Sequence, residues 1–436
     1  MIKRACLGIL AGLWVLALSV PMQRLQMVQW NFFHYRIPAY YLVVLIPILV
    51  VLSGVFLIGR LRGGVWSWAW WLFPIACLPG IVWGVDSAWG LRQWLSLWSR
   101  GLAVGASLAW LLETPESSWK ILRWAYGAAI VACLFGLTEL ALQANPLMDN
   151  FVSKTPSEIL PADGGPNPLY QRPTDFSGSG RPMGTQGNRI PFTACLVPFL
   201  PIALWKAAMP RKMAWVHFFA AAALMSLILL SNARSGWVAV IVGVTAYLLL
   251  STGEARRKAG WVLAGAVFLV ALWLSWPSNL ARVVSRAHSF TLKNQDVQHR
   301  LGSLPTVGAM KGRWLFGVGV GNYPKVYAPY YRGPFKYLST PDNQYLRWLI
   351  ETGIAGFGVL MLFLGGLAHA CWRRMTSAAF QGDRPFYAAV LAGWISIATT
   401  FLFFDGFYWI GPNMTFWGFL GLLTATLRNN DEKLRL

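Results

Sequence analysis

Long apolar stretches separated by short polar connections run the length of this 436-residue chain. Stretches of about 17 to 25 residues have the length that a helix needs to cross a bilayer. The pattern predicts an all-α polytopic membrane protein with about twelve transmembrane helices, forming a single membrane domain over residues 1–436. The predicted spans are 5–21, 40–59, 65–84, 95–112, 122–142, 190–208, 213–230, 236–252, 260–276, 345–370, 386–404 and 410–427.

The first stretch, MIKRACLGILAGLWVLALS, joins a basic head to an apolar run, as a secretory signal peptide does. Because no A-x-A-like cleavage site follows cleanly, we expect it to be retained as the first span. Lys and Arg in the short connections all fall on one side when twelve spans are counted. That side is predicted to be cytoplasmic, and both termini are expected there.

The composition argues against a soluble enzyme with an anchor. Hydrophobic residues make up 56% of the chain and charged residues 12%, which is about half the charged share of soluble domains. The five cysteines lie in or beside apolar segments, without metal-ligand or redox spacing, so we interpret them as packing residues. No carboxylate pair with metal-ligand spacing is visible on the outer loops, and we expect neither a metal site nor a cofactor.

Two long segments, 143–188 and 277–344, fall on the outer side of the predicted topology. The first is rich in Pro, Gly and Ser and is predicted to be mostly irregular. The second is strongly basic, with nine Lys and Arg residues against Asp296 and Asp342. A basic outer surface indicates an anionic partner, such as lipid phosphates, a diphosphate-linked carrier or an acidic glycan. Nucleic acid is not expected on that side of the membrane.

Four positions from separate segments are predicted to meet at the outer membrane face. Arg189 opens the sixth span, Arg234 lies in the tight turn of SNARSGWVAV, and Arg300 lies in the second long segment. Asp342 precedes the tenth span. Arginine binds phosphate oxygens through paired, directional hydrogen bonds, so three arginines at one depth suggest a phosphate site.

Each of these arginines also has a structural interpretation. Arg189 and Arg234 could be interfacial side chains that extend to lipid head groups. Arg300 could pair with Asp296, which lies one helical turn before it. These alternatives remain open from the sequence.

Asp342 has a structural alternative of its own. Thr340 could cap the tenth span and Pro341 could occupy its first position, which would put Asp342 in the first turn, where the helix dipole favours an anion. In the second long segment, His299 directly precedes Arg300 and could act as a base.

Two further features are interpreted structurally. Glu351 lies in an apolar span one turn after Arg347, so an intrahelical ion pair accounts for it. The run LFGVGVGNYP (315–324) has no following Lys-Ser/Thr helix and is not a nucleotide loop. Its glycines instead favour close packing of backbone or a close approach to substrate.

Taken together, SNARSGWVAV, RLGSL, LFGVGVGNYP and PDNQYLRWLIETGIAG resemble the O-antigen ligase and O-antigen polymerase superfamily, over roughly residues 181–360. The resemblance implies a GT-C-like membrane glycosyltransferase of the bacterial inner membrane, with its long loops forming a periplasmic cap. It also implies metal-independent, inverting transfer of a glycan from undecaprenyl diphosphate at the periplasmic face. The implied partners are that donor, membrane lipids, and either lipid A–core or a growing glycan as acceptor.

The resemblance also assigns roles to individual residues. Arg234 and Arg300 match arginines expected to bind the carrier diphosphate, and Arg189 and Arg181 match less closely. The family has His-Asn at its last motif, whereas this chain has Asp342-Asn343, which we take as the catalytic pair. A helix start and nearby arginines are expected to lower the pKa of Asp342 and make it a weaker base than histidine.

The loop before the tenth span and the Arg-Ser-Gly turn favour an O-antigen ligase with lipid A–core as acceptor. An O-antigen or exopolysaccharide polymerase, which joins lipid-linked repeat units, remains the alternative. A transporter of lipid-linked glycans is less favoured, because the chain lacks two similar halves and its charges cluster on one face.

Overall fold

The computed structural model describes residues 2–19, 29–32, 35–38, 46–57, 65–142, 184–186, 188–209, 212–275, 280–281, 283–284, 294–334, 340–377 and 382–428. The described residues are mainly helical. The helices are α1 (Ile2–Ser19), α2 (Ile46–Leu57), α3 (Val65–Val82), α4 (Ser87–Leu97), α5 (Ala103–Leu111), α6 (Pro115–Leu142), α7 (Arg189–Leu196), α8 (Phe199–Ala208), α9 (Ala214–Leu230), α10 (Arg234–Leu250), α11 (Gly253–Leu274), α12 (Gln295–Ser303), α13 (Tyr323–Val326), α14 (Gln344–Thr376), α15 (Arg384–Thr400) and α16 (Ile410–Arg428).

Every one of the twelve predicted spans overlaps a helix of the structure. Of the described helices, five are long and apolar enough to cross a membrane: Ile2–Ser19, Pro115–Leu142, Arg189–Ala208, Gly253–Leu274 and Gln344–Thr376. The chain is therefore a multi-pass membrane protein. The count of twelve spans and the GT-C-like cap stay predictions.

Two strands qualify the all-α prediction. β1 (Gln29–Phe32) and β2 (Tyr35–Pro38) pair antiparallel between α1 and α2, with Gln29 opposite Pro38. Both strands contain aromatic residues, which favour extended backbone. The described residues of the second long segment are also partly helical, since they include α12, α13 and the 3₁₀ helix Leu304–Met310. Almost all of the 143–188 segment lies outside the described residues.

The buried core surrounds α16, which contacts α5, α15, α14 and α1. Met414, Phe416 and Phe419 on this helix have no exposed surface. Gly105 of α5 and Gly421 of α16 let the two backbones touch, since a methyl group on Gly421 would clash with the Gly105 carbonyl. Small residues at such crossings are a common means of packing helices within membranes.

Helix α14 is broken at Gly353, whose φ of 67° and ψ of −174° are not helical. This combination of dihedrals is essentially restricted to glycine. The run 315–324 passes beside the break, and the backbone there forms hydrogen bonds that replace those of a continuous helix. The bonds are Ile354 N to Trp314 O (2.9 Å), Ala355 N to Leu315 O (3.0 Å), Val318 N to Ile350 O (3.0 Å) and Gly319 N to Glu351 O (2.9 Å).

The glycine-rich run therefore packs directly against another backbone, which confirms the structural interpretation of its glycines. Gly317, Gly319 and Gly321 all have positive φ. A methyl group on Gly317 would clash with the backbone of Glu351 and Gly353. The run thereby fixes the first two turns of α14, immediately after Asp342, against the rest of the second long segment.

The break makes a prediction about stability. G353A should lower the free energy of unfolding by roughly 1–3 kcal/mol for a backbone conformation that is essentially restricted to glycine and by about 1–3 kcal/mol more for the clash with the Leu315 carbonyl. G358A is the matched control, because nothing lies within 4 Å of the added methyl group. That change should be neutral or stabilising by up to about 1 kcal/mol. Thermal unfolding in detergent measures both, and equal midpoints for the two variants would contradict the assigned conformation.

Candidate functional site

Arg234 joins a membrane helix to the second long segment. It is the first residue of α10 and is only 8% exposed. Its Nη2 donates to Asp296 Oδ2 at 2.6 Å and to Asn294 Oδ1 at 3.1 Å. Asn294 also caps α12 by accepting from Asp296 N. The interpretation of Arg234 as a side chain extending to lipid head groups is therefore wrong, because its guanidinium is buried and paired.

Arg189 begins the neighbouring helix α7, which Asn188 caps. One turn further, Thr193 Oγ1 lies 2.9 Å from Ser231 Oγ, in the turn that leads into Arg234. The two helix starts therefore lie side by side, and both arginines belong to the same face of the bundle. Arg181, the fourth predicted arginine, lies outside the described residues.

Arg300 lies on α12 and is the arginine that faces Asp342. Its Nη2 lies 4.0 Å from Asp342 Oδ2 and donates to the Phe403 carbonyl at 3.2 Å. The buried Nε has no hydrogen-bond partner among the described residues. The predicted pair of Arg300 with Asp296 does not form, since Asp296 pairs with Arg234 instead. A guanidinium has five N–H donors, so Arg300 keeps capacity to bind an anion.

Asp342 does not lie in the first turn of α14. The cap is Asn343, whose side-chain oxygen accepts from Tyr345 N and Leu346 N, each at 3.0 Å. The expectation that Thr340 caps the helix is therefore wrong. Asp342 precedes the cap with φ of 47°, a left-handed backbone that aspartate tolerates better than most residues. Asn343, the second residue of the predicted catalytic pair, uses its side-chain oxygen to begin the helix.

The environment of Asp342 raises its pKa to about 6. The main cause is burial of the carboxyl group, and the negative charge of Asp296 adds to it. The charge of Arg300 and the Thr340 hydroxyl act in the opposite direction but do not outweigh burial. The expected lowering of the pKa is thus wrong in sign. A pKa near neutrality suits a group that accepts a proton in the reaction.

His299 completes the surroundings of Asp342, and its side chain is 1% exposed. Nε2 lies 3.0 Å from the Thr340 carbonyl oxygen and 4.0 Å from Asp342 Oδ2. Nδ1 lies 2.6 Å from the Tyr331 hydroxyl. The sequence flagged this histidine only by its position beside Arg300. Its contact with Thr340 joins residues 41 positions apart, which no local pattern indicates.

A buried ionic cluster lies one helical turn beyond Asn343. Arg347 Nε donates to Glu351 at 2.9 Å, which confirms the predicted pair, and Nη1 donates to Asp405 at 2.6 Å. Asp405 belongs to the turn 401–409, which also provides the Phe403 carbonyl for Arg300. Asp405 is not among the residues predicted from the sequence, although an acid between two apolar spans in FLFFDGFYW is a visible signal.

The described residues include no group of three or more His, Cys, Asp or Glu side chains that could hold a metal ion. The positively charged elements of the site are instead the arginines and the starts of α7, α10 and α14. Helix N-termini carry a partial positive charge and donate backbone N–H groups to anions. The arrangement suits a diphosphate placed against Arg300 and beside Asp342.

Comparison with known proteins supports the resemblance drawn from the motifs. Residues 218–361 match the family described as O-antigen ligase. That region runs from α9 into α14 and contains Arg234, Arg300 and Asp342. The match supports the resemblance of this part of the chain to the O-antigen ligase superfamily. A search of curated proteins found no match.

The raised pKa of Asp342 predicts how the D342N variant unfolds. The ionised carboxyl destabilises the folded state above its folded-state pKa of about 6, and the penalty disappears as the pH falls toward the ordinary value of 3.8. Because a third of the side chain is exposed, we expect D342N to gain only about 1 kcal/mol at a pH near 7.5. The gain should shrink near pH 5, as measured by thermal unfolding in detergent. A loss of stability at the higher pH would contradict the assigned environment.

Proposed function

We propose that this protein transfers a glycan from undecaprenyl diphosphate to a sugar hydroxyl at the periplasmic face of the bacterial inner membrane, as an O-antigen ligase with lipid A–core as acceptor. The observation that carries the proposal is the facing pair of Arg300 and Asp342, 4.0 Å apart. Both lie within the region that matches the O-antigen ligase family. One is a phosphate-binding group and the other a proton acceptor, the two functions that this reaction requires.

Arg300 is the main contact of the donor diphosphate in this mechanism. Its guanidinium is partly exposed and has five N–H donors, of which Nη2 donates to the Phe403 carbonyl, so the exposed part can form hydrogen bonds to phosphate oxygens. Arg189 adds positive charge from the start of the neighbouring helix α7. These groups offset the negative charge that develops on the diphosphate as the sugar–phosphate bond breaks.

Arg234 has a different part from the one assigned by resemblance alone. Its Nη2 is already occupied by Asp296 and Asn294. We assign it two tasks, contributing to the positive potential at the diphosphate and holding α12, which carries Arg300, against the start of α10. Arg181 stays a candidate for the same diphosphate.

Asp342 acts on the acceptor. The acceptor hydroxyl oxygen attacks the anomeric carbon, the bond from that carbon to the phosphate oxygen breaks, and undecaprenyl diphosphate leaves. Asp342 takes the hydroxyl proton, and a single displacement inverts the anomeric configuration. A pKa of about 6 leaves the carboxylate mainly ionised at neutral pH, so it is ready to accept.

One observation favours a different acceptor. The chain has Asp342 where the family motif has histidine, and an altered base is consistent with an altered acceptor. An O-antigen or exopolysaccharide polymerase, which passes the glycan to another lipid-linked repeat unit, is therefore the second candidate.

The role of Arg300 predicts a loss of transfer in R300A. We expect the rate to fall about 100-fold or more, as when a donor to developing negative charge is removed. R300K should recover only part of it, because lysine lacks the paired geometry. R313A is the matched control, since Arg313 is an exposed arginine of the same basic segment that bonds to the Trp83 carbonyl. The assay uses purified protein, extracted lipid-linked glycan and lipid A–core. Equal rates for R300A and R313A would remove Arg300 from the mechanism.

Deleting the gene distinguishes the two acceptors. Loss of the ligase should leave bare lipid A–core on a lipopolysaccharide gel while polymer accumulates on its lipid carrier. Core carrying a single repeat unit would instead identify a polymerase of O-antigen. An unchanged ladder with lost exopolysaccharide would identify a polymerase of a secreted glycan.

A further inference from the structure

The backbone at Asp342 needs support from outside its own segment. A residue other than glycine in the left-handed region costs roughly 1–2 kcal/mol, and such a residue persists when its surroundings hold it. On one side, Asn343 fixes the chain to the start of α14. On the other side, the support comes from Thr340, whose hydroxyl lies 3.4 Å from Asp342 Oδ1 and whose carbonyl contacts His299.

The contacts of His299 determine which ring nitrogen carries the proton. A carbonyl oxygen can only accept a hydrogen bond, so Nε2, 3.0 Å from the Thr340 oxygen, must donate. Burial lowers the pKa of His299 and outweighs the hydrogen bond to Thr340, which raises it, so the neutral ring is favoured. In the neutral ring with Nε2 protonated, Nδ1 is an acceptor, and the Tyr331 hydroxyl donates to it at 2.6 Å.

We propose that His299 is a positioning residue for Asp342, holding the Thr340 carbonyl so that the carboxylate stays beside Arg300, and that Tyr331 fixes the tautomer this requires. The proposal rests on the function proposed above, in which Asp342 accepts the proton. His299 acts through Thr340 and not by a direct relay, because Nε2 is 4.0 Å from Asp342 Oδ2, beyond hydrogen-bond distance.

The alternative is that His299 is itself the base, in place of the histidine missing from the last motif. That role needs a ring nitrogen with a free lone pair facing the substrate. Here Nε2 donates to Thr340 and Nδ1 accepts from Tyr331, and the side chain is 1% exposed. Asp342, by contrast, is 33% exposed. The charged groups around the two residues are Arg300 and Asp296 on α12 and Asp405 from the turn 401–409.

Substitutions that separate the two ring nitrogens test the proposal. The amide nitrogen of H299Q falls near the position of Nε2 and can still donate to Thr340, whereas H299N reaches only the position of Nδ1. We expect H299N to lower kcat about 10- to 100-fold through misplacement of Asp342, with little change in KM for the lipid-linked donor. H299Q keeps the hydrogen bond to Thr340, so its kcat should stay within a few-fold of the wild-type value.

Tyr331 gives a second, independent arm. Y331F removes only the hydroxyl, so the ring can carry its proton on Nδ1 and lose the bond to Thr340. It should therefore lower kcat in the wild-type background. In the H299Q background it should add no more than about a twofold effect, because the amide needs no tautomer control. Equal losses in both backgrounds would overturn the role given to Tyr331.

The pH profile separates positioning from a merely structural role. In the wild type the acid limb of kcat/KM should lie near the Asp342 pKa of about 6. In H299N the released carboxylate becomes more solvated, so the limb should move to lower pH. An H299N variant with wild-type kcat and an unmoved limb overturns the positioning role. Complete loss of activity in H299Q, with an unchanged melting temperature, overturns it in favour of His299 as the base.

D342N is run beside these variants so that the two proposals can fail separately. An inactive D342N with a fully active H299N leaves the proposed function intact and removes the positioning role. A fully active D342N removes Asp342 as proton acceptor, and the proposal for His299 is lost with it. The melting temperature of each variant in detergent confirms that the full chain is folded.

Discussion

The ion pair between Arg234 and Asp296 is the interaction on which the geometry of the site depends. It joins the first residue of a membrane helix to the first turn of α12, and the 2.6 Å contact is made by a guanidinium that is almost fully buried. Because the Asp296 side chain is 42% exposed, solvent screens the pair, and removing one partner should cost less than the about 3–5 kcal/mol of a fully buried pair. Because α12 carries both His299 and Arg300, this single contact sets where the phosphate-binding and positioning groups stand relative to Asp342.

Two further constraints fix the opposite wall of the site. The glycine-rich run replaces the hydrogen bonds of α14 at Gly353 and so holds the first turns of that helix. Arg347, within those turns, binds both Glu351 and Asp405. Asp405 in turn belongs to the segment whose Phe403 carbonyl receives Arg300. The polar site is therefore enclosed between elements that are tied to each other by buried ionic and backbone bonds.

Much of this arrangement follows from the sequence. The lengths of the apolar stretches predicted the helices. The basic residues of the connections predicted a topology that places four residues at the same membrane face: Arg189, Arg234, Arg300 and Asp342. The Arg347–Glu351 pair was predictable because a four-residue spacing on a helix brings side chains together. The predictions that proved wrong concern contacts between segments that are far apart in the sequence. Asp296 has two arginines within reach, and only the fold decides that it binds Arg234.

The same limit explains Asp342. Local rules favoured Thr340 as the cap and a lowered pKa, whereas Asn343 provides the cap and burial raises the pKa. Burial depends on the assembled site, so no local sequence pattern gives the direction of the Asp342 pKa shift. The break at Gly353 could not be predicted for a similar reason. A single glycine in an apolar span does not indicate a break, and here the break depends on the backbone of another segment that packs against it.

The most direct test is an electron cryo-microscopy structure of the full chain with undecaprenyl diphosphate, the leaving group of the proposed reaction. The diphosphate should lie within hydrogen-bond distance of the Arg300 guanidinium, on the side where α7, α10 and α14 begin. Binding at the opposite end of α14, beside Arg373 and Arg374, would contradict the assignment of the site.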